Sequence, residues 1–276
     1  MYFFKTYAKL NTTKKERGGF ILTAEKTQCF PHIKKPFAIV NNRKFIISAL
    51  AVFLALEFII ANLMFTVGGY FSFFSFIFVV FACLFCALSA EPSEKYIFTQ
   101  LGLILTVCAD FFLVLIPEQQ RLPGMIFFSA AQLMYFFMVY STDDNAARRK
   151  VHLVLRIVAS VLAVVLTLAV LGPAADGVAL VSMFYYSNLL LNVVFSFINF
   201  KKHGIFAIAL LIFILSDTII GFNNLEKYLF VSRRSLAYYI SNSEFDLTYV
   251  LYLPSQILLA ISLIPQKLKK LGNNEK

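Results

Sequence analysis

The chain has 276 residues, 59% of them apolar and only 14% charged, with a net charge of +10. Soluble domains run at about 45–50% apolar and about 25% charged, so a soluble fold of this composition would expose far larger apolar patches than monomers tolerate. The same figures exclude a disordered chain, and four Cys are too few for a disulfide scaffold. What fits is an all-α, polytopic membrane protein.

Residues 1–43 read as a basic cytoplasmic N-terminal extension. Met1–Phe4 is too short an apolar stretch for a signal peptide, and basic residues follow it. A span needs about 20 mostly apolar residues. Eight candidates follow within a transmembrane domain over 44–266: 45–65, 69–89, 96–116, 123–140, 153–171, 177–198, 204–221 and 247–265. The runs are continuously apolar rather than alternating, which predicts a bundle of eight transmembrane helices and not a barrel. The fourth is short, and Pro254 must kink the eighth or lie near its start. The segment 222–246 is the longest external loop, either a lid or a solvated connection. A basic cytoplasmic tail, 267–276, closes the chain.

With the N-terminus and every second loop taken as one side, 21 of the 25 Lys and Arg fall there, Arg148, Arg149, Lys150 and Arg156 among them. The positive-inside rule then predicts that both termini are cytoplasmic. The even number of spans agrees. The basic residues are accounted for by topology and by anionic lipid headgroups at the cytoplasmic face, so no nucleic acid partner is expected. An integral, multi-pass protein of the plasma membrane is the expected location. The oligomeric state is not legible.

Only Glu57, Asp110 and Asp217 are acidic residues well inside the expected spans. An ionised carboxylate there costs about 2.5–3.5 kcal/mol or more, so each is a candidate functional group. Asp110 and Asp217 both lie about 20 Å from the cytoplasmic end of their helices at 1.5 Å per residue, which lets them converge on one cavity. Polar residues gather at similar depths: Gln132 and Tyr135 in the fourth span, Tyr185 and Asn188 in the sixth, Asn223 past the seventh, Tyr252 and Gln256 in the eighth. They need interior partners in hydrocarbon and are candidates for substrate binding. His32, His152 and His203 all fall in expected cytoplasmic segments, and Cys83 and Cys86 have no cluster around them, so no metal and no organic cofactor is expected.

Paired intramembrane carboxyl groups suit more than one role. They serve acid/base hydrolysis, proton relay in a proton-coupled transporter, or helix packing alone. An intramembrane aspartyl protease also uses two Asp, but its Gly-x-Gly-Asp pattern is here Val107-Cys108-Ala109-Asp110.

Four ordered segments together resemble the YhhN-like membrane family, which includes the lysoplasmalogenases. They are Leu105–Leu115 (LTVCADFFLVL), Gly124–Tyr135 (GMIFFSAAQLMY), Leu215–Asn223 (LSDTIIGFN) and Tyr252–Ser262 (YLPSQILLAIS). Ala109 stands where the family usually has Gly, and Ala131-Gln132 where Gly-His is common. Gln132 can hydrogen-bond as a His does but cannot transfer its proton. The resemblance implies an eight-helix bundle with two essential aspartates, here Asp110 and Asp217. It also implies hydrolysis of the vinyl-ether bond of lysoplasmalogens, with a single-chain phospholipid taken from the bilayer as substrate.

Overall fold

The computed structural model describes residues 43–67, 69–89, 97–116, 121–241, 247–265 and 267–268; the N-terminal extension and most of the C-terminal tail lie outside them. The described residues form α1 (Arg43–Thr66), α2 (Phe71–Ser89), α3 (Ile97–Asp110), α4 (Arg121–Thr142), α5 (Ala146–Leu171), α6 (Gly177–Ile198), α7 (Phe200–Leu225), α8 (Leu236–Ser241) and α9 (Leu247–Ile261). No strand occurs among them. In hydrocarbon a helix satisfies its own backbone, which is why continuous apolar runs become helices.

Seven helices are long and apolar enough to cross a membrane. The chain is thus an integral, multi-pass membrane protein. The last expected span differs: its regular helix, α9, covers only 15 residues and carries Pro254 inside it. Proline has no N–H for the carbonyl one turn earlier, so the α-helical ladder is weakened there. The expected long external loop contains the short helix α8. A second irregularity follows Asp110, where α3 widens into a π turn over Phe111–Leu115.

Neighbour relations close six helices into a ring. Going round, α2 packs on α3, α3 on α4, α4 on α6, α6 on α7, α7 on α9, and α9 back on α2. Helix α1 packs on α2 and α5 on α6, both from outside. Burial agrees: 17% of the apolar window of α1 and of α5 is buried, against 50% for α4. The ring interior is filled by Phe78, Leu103, Tyr135, Leu189, Phe213 and Leu259, all essentially without exposure. Gly102 on α3 permits this packing, because a Cβ there would lie 2.2 Å from the Tyr135 ring.

The α4–α5 and α6–α7 connections are fastened to each other at one end of the bundle. The Asp143 carboxylate accepts two bonds from Arg148, at 2.5 and 2.7 Å, one from the Asn145 N–H at 2.9 Å, and one from Asn199 at 3.2 Å. Lys202 pairs with Asp144, and Thr142 Oγ1 meets His203 Nε2 at 2.9 Å. The hydrogen bonds from Arg148, with those from Asn145 and Asn199, hold the Asp143 carboxyl well below the usual carboxylate range. Its contribution to stability is therefore complete above the unfolded value of about 3.9, and fades only as pH falls toward the lower folded value. We expect Asp143→Asn to cost about 1 kcal/mol, since Arg148 is 31% exposed and solvent screens the pair. The difference in melting temperature from wild type should be constant from about pH 8 to 5 and shrink below about pH 4. A constant difference down to pH 3 would contradict this account.

Candidate active site

Asp110 ends the regular part of α3, and Asp217 sits in α7 next to the buried Ser216. Each carboxyl group is held by a tyrosine from another helix of the ring, the adjacent α6 for Asp217 and the non-adjacent α9 for Asp110. Tyr252 of α9 donates to Asp110 Oδ2 at 2.5 Å, and Tyr185 of α6 donates to Asp217 Oδ2. The two tyrosines and Asp110 are buried, while Asp217 is partly buried.

Aromatic rings tie the two carboxyl–tyrosine pairs together. Phe213 lies 5.6 Å from the Tyr252 ring, Phe128 lies 5.7 Å from the Tyr185 ring, and Phe128 and Phe213 are 6.0 Å apart. The seryl hydroxyl beside Asp217 donates to the Thr248 carbonyl at 2.9 Å, which joins α7 to α9. Asp110 is 13 residues along α3, and Asp217 is 14 residues past the bend of α7 at His203. Along their helices, Asp110 is thus about 20 Å from Ile97 and Asp217 about 20 Å from the bend.

The other candidate residues divide into groups. Tyr185 and Tyr252 touch the aspartates directly. Tyr135 lies one layer away, its hydroxyl 3.5 Å from Thr106 Oγ1. Gln256 follows Tyr252 by one turn on α9 and is fully buried; its amide meets Ser255 at 3.3 Å and its Oε1 has no partner. Gln132 and Asn188 belong to a separate polar layer described below. Asn223 does not join the site: its side chain is exposed at the end of α7, and the neighbouring Asn224 is the one that accepts from Arg121, at 3.2 Å.

The sequence profile of the YhhN family matches residues 70–263, more than two thirds of the chain. The chain belongs to the YhhN family. The match covers α2 to α9 and therefore the whole ring, while α1 precedes it. No curated protein and no solved structure matches the chain.

This YhhN-family bundle also holds a residue that sequence reasoning assigned to the wrong place. Arg156 was expected beside a basic loop. Helix α5 begins at Ala146, seven residues before the expected start, so His152 joins Arg156 in the helix. Arg156 is 5% exposed. Its guanidinium donates to Asn188 Oδ1 at 2.6 Å and Asn192 Oδ1 at 2.5 Å, and it lies 4.2 Å from the Phe136 ring centroid. Asn192 in turn donates to the Gln132 side-chain and backbone oxygens, at 3.0 and 2.9 Å. Among the described residues no carboxylate pairs with Arg156. His152 stacks on Phe195 at 3.7 Å, and His203 is buried as well, so neither occupies the loop position expected of it. The available signal was spacing: His152 and Arg156 are i and i+4, one face of a helix that a span starting at 153 cuts in half.

Chemically, the arrangement offers two carboxyl groups from facing helices, each fixed in orientation by a phenol, in an apolar ring. That is the equipment of a general acid/base pair.

Proposed function

We propose that this protein is an intramembrane lipid hydrolase. It cleaves the vinyl-ether bond of lysoplasmalogens to a fatty aldehyde and a glycerophospho-base. The observation that carries the reading is the pair of carboxyl groups, Asp110 and Asp217, each gripped by a tyrosine inside the ring of a YhhN-family bundle.

One carboxylic acid protonates the alkene carbon distal to the ether oxygen. The resulting oxocarbenium ion takes up a water whose proton passes to the second carboxylate. The hemiacetal then collapses, releasing the aldehyde and leaving the glycerol hydroxyl. One water is consumed, and the proton lent by the first carboxyl returns through the second. The division of labour is that of two-carboxylate glycoside hydrolysis, which also passes through an oxocarbenium-like state. Asp217 is assigned as the acid and Asp110 as the group that activates water. Tyr185 and Tyr252 orient them. Tyr135 and Gln256 supply polar contacts for the glycerol portion.

In the same reading α9 completes an eighth crossing with the residues that follow it. Both termini are cytoplasmic, the carboxyl pair lies in the outer part of the membrane, and the protein resides in the plasma membrane. The 21 basic residues assigned to one side support this orientation.

The test is aldehyde release from lysoplasmenylethanolamine by the detergent-purified protein. Aldehyde and glycerophosphoethanolamine should appear in equal amounts. No aldehyde from a folded, monodisperse preparation would overturn the assignment. Proton-gradient-dependent uptake in proteoliposomes without turnover would move the same carboxyl groups to transport.

A further inference from the structure

Glu57 is an acidic side chain that the proposed chemistry does not use. It lies on α1, outside the ring and before the family-matched residues, and is fully buried, with neither carboxyl oxygen partnered among the described residues. It lines a groove of about 370 Å³ between α1 and α9, over Phe78 of α2. Leu54 and Ala61 of α1 form one wall, and Val250 and Pro254 of α9 form the other. Outside it, Phe58 is 71% exposed and Leu54 41%, as expected of a surface turned to lipid.

The chemistry of the walls selects an occupant. The apolar sides suit a hydrocarbon chain. Along α1 the groove runs from Leu54 to Phe65, about 16 Å. No Lys, Arg or His lines it, so nothing there would neutralise a phosphate, and Glu57 would oppose one. The Glu57 carboxyl group asks for a partner, and a hydroxyl pairs with it in either protonation state. We propose that this groove is a binding site for an uncharged, single-chain lipid bearing a hydroxyl, the class of long-chain alcohols and monoacylglycerols. The hydroxyl sits on Glu57 and the chain lies between α1 and α9. The site is separate from the aspartate pair and independent of the hydrolytic reading.

The full-length protein, reconstituted in phosphatidylcholine nanodiscs, would be labelled with hexadecanol carrying a photoreactive diazirine on its chain. Labelled peptides should concentrate in 54–65 and 249–257. Unlabelled hexadecanol should compete, and hexadecane and lysophosphatidylcholine should not. Glu57→Leu should lower labelling at least about fivefold, the worth of one hydrogen bond of about 1 kcal/mol. Glu57→Gln, which still hydrogen-bonds, should keep most of it. If Glu57→Leu does not fold, Ala61→Phe fills the groove from the same helix and should have the same effect. Labelling spread evenly over all lipid-facing helices would mean bulk lipid contact only and would overturn the proposal. So would equal competition by hexadecane, or labelling unchanged in both variants.

Discussion

Asp217→Asn and Asp110→Asn should each abolish aldehyde release while leaving the bundle folded. General acid/base catalysis is worth about 10²–10⁴ in rate, and an amide of the same shape can neither give nor take the proton. Each variant should therefore lose at least about 100-fold in kcat. The folded state should survive, because an asparagine can still accept from Tyr185 or Tyr252. A comparison with Tyr252→Phe separates chemistry from positioning. That variant leaves the Asp110 carboxyl in place and removes only its anchor, so it should retain measurable turnover. Unimpaired hydrolysis by either Asn variant, with an unchanged melting temperature, would remove the aspartates from the reaction.

Arg156→Met should be among the most destabilising single changes outside the carboxyl pair. The guanidinium is the donor for both Asn188 and Asn192, and its loss strands two buried oxygens at about 1–3 kcal/mol each. Relief from burying an unpaired charge offsets part of that, so a net loss of about 2–4 kcal/mol is expected. Thermal unfolding in detergent measures it. Adding Asn192→Leu to the same chain should not recover stability, since it strands the Gln132 oxygens that Asn192 serves and leaves Asn188 Oδ1 without its donor. Arg156→Lys should fall between, because an ammonium cannot reproduce the planar pair of bonds. Activity should decline with stability, as Asn188 is less than one turn from Tyr185 on α6. A melting temperature unchanged by Arg156→Met would show that the asparagines find other donors and that the layer contributes little.

Most of the architecture was legible because hydrocarbon leaves the backbone few choices. Each expected span from α1 to α7 recurs with ends shifted by a few residues. Asp110 and Asp217 stood out because a carboxyl group in an apolar run has no bland explanation. Their partners were visible only as polar side chains: nothing local says that Tyr252 reaches back 142 residues to Asp110 or that Tyr185 spans 32 to Asp217. Such pairing is set by the ring closure of α9 onto α2, a long-range property. Arg156 was hidden for a different reason. Near a helix end a basic residue reads equally well as a topology signal or as an interior donor; the earlier start of α5 moves Arg156 from its first turn to its third, where it is buried. Asn223 was misplaced by the reverse error, since a helix end that ran on to Leu225 turned it toward the outside.

The brevity of α9 bears on how a reaction that consumes water can run inside a membrane. Fifteen residues give about 22 Å of helix, against a hydrocarbon core of about 30 Å. A bilayer meets a short segment by thinning, and polar headgroups and their hydration follow the surface inward. Tyr252 is five residues past Leu247, the first described residue of α9, about 8 Å along its axis. The carboxyl group it holds is therefore screened from solution by far less oil than its place in a helix bundle suggests. On the proposed hydrolytic reading, the short regular part of α9 gives the aspartates a local supply of the second reactant.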